Sequence, residues 1–248
     1  MKNIYLKNLD INILSGELVG VIGPNGCGKT NILKMISGKI NNNDFFINHK
    51  NVNEYDLDYK RKNIVCVFND NIYRTNRVKS ELVYYLKLLN LNGIEIDNRV
   101  NNFISYFGIN ELLEKEFIDL SHENRIFIKI LSLLIINPKL FCIDDLMTYL
   151  KKEKKNKLLN YIKEKDITLF NITSNMEELI LFDKILVLNK GEKVKYDITE
   201  NILNNEEIFN KLGLSLPFIY DINNMLKSYG LIDRDHLVYK ELVDVLWK

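Results

Sequence analysis

Apolar residues along this chain gather into short runs, broken by glycine, asparagine and charged residues. Runs of strand length occur at residues 9–14 (LDINIL), 17–23 (ELVGVIG), 44–48 (DFFIN), 63–68 (NIVCVF), 139–144 (KLFCID), 167–173 (ITLFNIT) and 184–189 (KILVLN). Helical spacing fills most of the gaps between them, and this alternation predicts an α/β fold with a largely parallel sheet. Residues from about 72 to 125 lack strong strands and read as a helical insertion in a domain spanning 1–200. From 201 to 248 the pattern is helical again, broken at Gly213, Pro217 and Gly230, which predicts a C-terminal helical extension. The asparagines at 41–43 read as a loop, no internal repeat is visible, and the run KKEKKNK at 151–157 reads as the solvated face of a helix.

Composition adds bounds to this outline. A chain of 248 residues with 46% apolar content is ample for a sizeable core, as one large domain or a core domain with an inserted subdomain. Its 34 basic and 33 acidic residues leave a net charge of +1, without the basic footprint of a nucleic-acid binder. The N-terminus alternates instead of forming an apolar signal core, which argues against secretion. The longest apolar stretch, IFIKILSLLII, is interrupted by Lys129 and falls short of the ~20 residues a membrane helix needs. Cys27, Cys66 and Cys142 have neither metal-ligand spacing nor an even count, which fits a reducing cytoplasm. Alanine and glutamine are absent while asparagine, lysine and isoleucine are heavily used, so an asparagine in place of a glutamine can be compositional drift.

The sharpest chemical signal is ELVGVIGPNGCGKTNILKMISG, a buried strand, a glycine-rich turn and a helix. Gly23, Gly26 and Gly28 permit a tight loop whose amides face phosphate oxygens, the helix that follows adds its positive end, and Pro24, Asn25, Cys27 and Asn31 complete the expected nucleotide-binding stretch. In such a loop Lys29 reaches the β- and γ-phosphates and the Thr30 hydroxyl ligates Mg²⁺. A nucleotide with Mg²⁺ is the expected ligand. Cys27 reads either as a small residue that fits the loop or as a thiol activated by the helix N-terminus.

Taken in order, GPNGCGKTN, VFNDN, LSHEN, LFCIDD and ITSNMEE resemble the motifs of the ATP-binding-cassette (ABC) ATPase family over nearly the whole chain. The resemblance implies a P-loop NTPase core with a helical subdomain, in which two such domains pack head to tail with ATP between them. The stretch KLGLSLPFIYDINNMLKSYG further looks like the extension of energy-coupling-factor ATPases, which power vitamin and metal-ion uptake. By the same resemblance Asp144 organises Mg²⁺, at the C-terminal end of a parallel strand where ligands bind. Asn69 falls where the family has a glutamine that senses Mg²⁺ and the membrane subunit, keeping the amide on a shorter arm.

The departures from the family pattern concern catalysis. Asp145 replaces the glutamate that polarises the attacking water, and a displacement of about 1 Å costs roughly 10²-fold in rate. Ser174 replaces the switch histidine, so a hydroxyl donor stands where a positive charge was available. TYLK at 148–151 replaces SxLD, making Lys151 of the aspartate that links two sites. Tyr5 is the one candidate for the aromatic that stacks on adenine, although a half-buried strand tyrosine is the simpler reading.

The family signature LSGGQ, which grips the γ-phosphate held by the opposite domain, reads LSHEN here. Ser121 is kept, His122 and Glu123 replace the glycines, and Asn124 replaces the glutamine. A Glu123 carboxylate aimed at that phosphate from ~4 Å would cost about 4 kcal/mol, roughly a thousand-fold in affinity. Three readings follow: a decayed signature that suits a helix start, adaptation within a heterodimer whose partner holds the complete catalytic set, or a homodimer in which His122 stands in for the missing switch residue. The expectation is an ATP-binding subunit of a membrane importer, weak or inactive in hydrolysis, peripheral on the inner face of the cell membrane. Its expected partners are a second ABC ATPase, heterodimer favoured over homodimer, and an integral membrane subunit. A soluble scaffold or regulatory pseudo-ATPase is the alternative.

Overall fold

A computed structural model describes residues 3–40, 43–70 and 72–247, so of the asparagines at 41–43 only Asn43 falls within the described residues. Ten strands are described: β1 (Asn3–Leu6), β2 (Ile11–Leu14), β3 (Leu18–Ile22), β4 (Phe45–Ile47), β5 (Lys50–Asn51), β6 (Ile64–Val67), β7 (Leu140–Asp144), β8 (Thr168–Ile172), β9 (Lys184–Asn189) and β10 (Glu192–Ile198). The α-helices are α1 (Lys29–Ile36), α2 (Leu57–Asn63), α3 (Val78–Lys87), α4 (Gly93–Phe107), α5 (His122–Leu134), α6 (Lys152–Glu164), α7 (Thr199–Leu203), α8 (Glu206–Leu212), α9 (Phe218–Ser228) and α10 (Tyr239–Leu246).

Six strands form one sheet in the order β10-β9-β3-β8-β7-β6, parallel except for the antiparallel β9–β10 hairpin at its edge. The predicted α/β class holds. Its central strands β3, β7 and β8 are buried at every residue, as expected where helices or a second layer cover both faces. In β7 the alternation is visible in the cores: Leu140 and Cys142 face α1 and the antiparallel layer, while Phe141 and Ile143 face the helices α3 to α6. That second layer is a four-stranded sheet, β2-β1-β4-β5, which sandwiches α1 against the main sheet. β1, β5 and β10 lie outside the predicted strand runs.

Residues 72–125 are mostly helical. α3 and α4 occupy this range together with two short 3-10 turns, and an isolated antiparallel bridge joins Arg77 to Glu116 at its neck. α5 already begins at His122, so the last residues of the 72–125 range belong to the first turn of the helix that returns to the core. At the far end α7 to α9 share a core with β3 and β9, where Ile202, Leu203, Phe209 and Ile219 meet Ile22, Ile185 and Val187. The C-terminal extension is therefore packed on the sheet. Among the described residues no helix is long and apolar enough to cross a membrane.

Candidate functional site

β3 delivers the chain into the phosphate loop at Gly23, and the loop ends where α1 begins at Lys29. A Cβ on Gly23, whose φ is +154°, would lie 2.2 Å from the Leu188 carbonyl oxygen of β9 and 2.7 Å from the Cys27 sulfur. Glycine is required there by close approach. Gly28 is the N-cap of α1 at φ 102°, and being glycine it offers no side chain to cap the helix. The turn of the β9–β10 hairpin braces the loop from behind, with the Gly191 amide donating to the Cys27 carbonyl at 2.8 Å. Cys27 is buried against this brace and the core beneath, so its fit in the loop has a packing reason.

Among the described residues the amides of Gly26, Gly28, Lys29 and Thr30 have no acceptor in the protein. Four donors converging at a helix N-terminus form an anion cradle. The Lys29 ammonium turns back on the loop, donating to the carbonyls of Gly23 at 2.6 Å and Pro24 at 3.1 Å. A cavity of about 310 Å³ opens over the cradle, walled by Asn25 to Asn31 with Asp144, Asp145, Ile172 and Ser174. The predicted phosphate positions from Asn25 to Asn31 thus share one cavity with Asp145 and Ser174, while Gly23 and Pro24 lie outside its wall.

Thr30 Oγ1 donates to Asp144 Oδ1 at 3.2 Å. Burial raises the Asp144 carboxyl above its usual range, opposed by the Thr30 hydrogen bond, and neighbouring Asp145 raises it further. A buried carboxylate held up in this way gains from a cation. No group of three or more His, Cys, Asp or Glu among the described residues forms a metal cage. A hydroxyl and a carboxylate beside a phosphate cradle suit Mg²⁺, which takes one or two carboxylates plus phosphate oxygens. The donor set therefore fits Mg-ATP. Asn69, the third predicted metal contact, stands exposed beyond the end of β6 and is not part of the cavity wall. Tyr5 also lies outside it, half-buried on β1, its hydroxyl donating to Asp10 at 3.1 Å.

Asp145 sits at φ 56°, an uncommon conformation for a residue other than glycine. Its carboxylate accepts from the Ser174 amide at 2.7 Å, from the Ser174 hydroxyl at 2.9 and 2.8 Å, and from Thr148 Oγ1 at 3.0 Å. With its lone pairs engaged by three donors, this carboxylate has little capacity left to orient a water.

LSHEN begins α5. Ser121 is the N-cap, its hydroxyl accepting from the Asn124 amide at 3.3 Å. Glu123 turns toward α6, accepting from the Lys151 amide at 2.9 Å and pairing with Lys154 at 3.4 Å, while Lys154 also donates to Asn124 at 2.6 Å. Burial alone would raise the Glu123 carboxyl, but the Lys151 amide and the Lys154 charge outweigh it and hold it below the usual range. The carboxylate thus caps α6. His122 remains exposed, its ring edge-on to Tyr149 at 5.2 Å and 88°.

The lysine run at 151–157 is consequently not a uniformly solvated face. Besides Lys154, Lys155 reaches inward to Glu178 at 2.6 Å, and Glu178, 1% exposed, accepts from Thr173 Oγ1 at 2.7 Å. This pair braces the turn carrying Ser174. Sequence reasoning missed both contacts, and the glutamate pair in NMEE following that turn was the available signal.

Beside Asn69 a groove of about 570 Å³ runs between α2, the loop after β6 and α5. At its floor buried Lys129, the interruption in the apolar run of α5, pairs with Asp70. Burial raises the Asp70 carboxyl, but Lys129 more than offsets this and holds it below its ordinary value. Buried Glu81 orders the adjoining loop by accepting from the amides of Arg74 and Thr75.

A parallel sheet that feeds a glycine cradle, with a buried aspartate opposite the helix threonine, defines a P-loop nucleotide-binding domain. Residues 6–148 match the family model described as ABC transporter, more than half of the chain, and the chain belongs to that family. Among similar proteins, the energy-coupling factor transporter ATP-binding protein EcfA1 of Ureaplasma parvum is 30% identical over 255 residues, covering all of this chain and 87% of the relative. Its namesake in Staphylococcus aureus (strain USA300) is 29% identical, covering 97% of this chain and 91% of the relative. Among solved structures, cbiO1 of Clostridium perfringens, part of the ABC transporter complex cbiONQ, superposes with a TM-score of 0.73 at 22% identity, covering 89% of this chain and 98% of its own. The dimeric bacterial cassette MJ0796 gives a TM-score of 0.70 at 20% identity, covering 79% of this chain and 98% of its own. These two likenesses establish the fold.

Proposed function

We propose that this chain is an ATP-binding subunit of an energy-coupling-factor type importer, paired with a second, catalytically more complete ABC ATPase. The full-length similarity to energy-coupling factor ATP-binding proteins supports transport over a soluble scaffold. Mg-ATP is held by the loop from Gly23 to Thr30 with Asp144, the ion supplying charge neutralisation at the phosphates. The groove beside Asn69 receives the membrane subunit, placing the chain on the cytoplasmic side of its membrane.

The observation that carries the reading of weak hydrolysis is the engaged Asp145 carboxylate, held by Ser174 and Thr148. Phosphoryl transfer to water depends on an in-line water and on stabilisation of spreading charge. Asp145 is short and occupied, and Ser174 carries no charge. At the opposite nucleotide this chain contributes LSHEN, where Ser121 and exposed His122 remain available and Glu123 is withdrawn onto α6. The repulsion a free Glu123 would exert is thereby reduced, which supports a working site formed with the partner's catalytic residues.

Phosphate release from the purified chain with Mg-ATP, measured beside nucleotide binding and with Lys29→Ala as control, tests this. Binding without release is expected. Release that disappears in the control would overturn the reading in favour of a homodimer, and loss of that release in His122→Ala would assign the compensating residue.

A further inference from the structure

A separate cavity of about 650 Å³ lies between α4, the end of α5 and the end of α6, and shares no residue with the cavity over the phosphate loop. Its size is that of a small-molecule site. Its apolar wall is aromatic: buried Phe103 and Tyr161 meet edge to face at 5.3 Å and 84°, and half-buried Tyr106 meets Tyr161 at 5.1 Å and 73°. Edge-to-face contacts of this kind hold the rings in place. The polar groups of the wall are unevenly engaged. Tyr161 is only 9% exposed, yet its hydroxyl has no hydrogen-bond partner among the described residues and opens on the cavity that the residue lines. Burial pushes the pKa of this hydroxyl up, so at neutral pH it is an O–H donor. Arg99, half-buried on α4, gives one N–H to the Ile136 carbonyl at 3.4 Å and forms no ion pair among the described residues. The carboxylates of the wall are already engaged, Glu164 by the Tyr106 hydroxyl at 3.0 Å and Glu95 by the Asn92 amide at 3.2 Å.

An aromatic wall beside an anchored guanidinium and an unpartnered phenol complements a flat ring that carries an acid group. We propose that this cavity binds a small aromatic carboxylate, its ring against Phe103 and Tyr106 and its carboxylate on the Arg99 guanidinium and the Tyr161 hydroxyl. The planar fork of an arginine matches a carboxylate in geometry as well as charge, and its bond to the Ile136 carbonyl orients it before a ligand arrives. Lys165 adds a second cation at the rim, its ammonium 5.7 Å from the centre of the Tyr161 ring and without a carboxylate partner among the described residues. The bound acid bridges α4 of the insertion to α6 of the core. This site does not depend on the transport reading and goes beyond it.

The test titrates the full chain by calorimetry with indole-3-acetate, and with tryptamine and indole as the amine and the uncharged ring. Indole-3-acetate is expected to bind at least about tenfold more tightly than either, as a charge-assisted pair requires. Arg99→Gln is expected to erase that preference. Tyr161→Phe, which removes only the hydroxyl, is expected to weaken the acid about fivefold and to leave indole unchanged. Its melting temperature should equal that of the wild type, since the hydroxyl holds nothing in the free protein; a clear fall would give it a structural role and overturn the proposal. Excess Mg-ATP is expected not to displace the acid, and displacement would place the acid on the phosphate loop and overturn it as well. So would equal or tighter binding of tryptamine, an affinity indifferent to both substitutions, or no binding of any probe at about 1 mM. If Arg99→Gln does not fold, Tyr161→Phe and the order of the three probes decide alone.

Discussion

Two helix N-termini in this molecule face the places where phosphate is expected, and they are finished in opposite ways. α1 begins at Gly28 with no side-chain cap and with the Gly26, Gly28, Lys29 and Thr30 amides open. α5 begins at Ser121, whose own hydroxyl accepts from the helix, and its first acidic side chain turns away to cap α6. The first is built from backbone and admits an external anion, while the second has one of its amides, that of Asn124, already capped by its own serine. The backbone amides and glycines that nucleotide binding needs are kept at the start of α1, whereas at the start of α5 His122 and Glu123 stand where the family pattern has glycines.

Lys29→Ala should break the open end most severely. Loss of a charged phosphate partner costs about 3–4 kcal/mol, or roughly 10²–10³-fold in Kd for Mg-ATP by titration calorimetry. Unchanged affinity would remove the loop from the site. Next, Lys155→Met leaves Glu178 charged and buried, and breaking such a pair costs about 3 kcal/mol, a fall in Tm of ~6–12 °C for a chain of this size. A Tm within a degree of wild type would mean the pair does not brace the Ser174 turn.

Asp145→Glu combined with Ser174→His should raise phosphate release by roughly 10²-fold in single-turnover measurements, since positioning at that level is what the two short residues withhold. No gain would place the defect elsewhere, at the signature turn. The smallest effect belongs to the closed end. Glu123 has a lowered folded pKa, so its contribution is present above the unfolded value of 4.5 and lost as pH falls through the folded one. Glu123→Gln should therefore cost at most ~1 kcal/mol at pH 7, because the pair is partly solvated, and the gap in denaturant midpoint should close below pH 4.5. A gap that widens with acid would refute the capping role.

What was legible follows the range of each interaction. The phosphate loop is a local pattern whose glycines, lysine and threonine lie within eight residues, and the structure gathers them without rearrangement. The central strands were legible because burial on both faces leaves them apolar throughout. β10 was missed because it is an edge strand whose sequence, EKVKYDI, carries charge at alternate places. Its signal was the two-residue turn Lys190-Gly191, both at positive φ, directly after the apolar run of β9. Lys154 and Lys155 were misread for a different reason. Their partners Glu123 and Glu178 are distant in sequence, and a paired lysine looks like a solvated one until the chain is folded.

Those two lysines have a mechanical meaning. Successive residues on an α-helix project about 100° apart around its axis. Lys154 and Lys155 therefore grip different neighbours, one at the start of α5 and one below the Ser174 turn. Like two keys set at an angle on one shaft, they fix the rotational setting of α6. Any twist that relieves one lysine strains the other, so the signature turn and the Ser174 turn share a common angular reference within a single protomer.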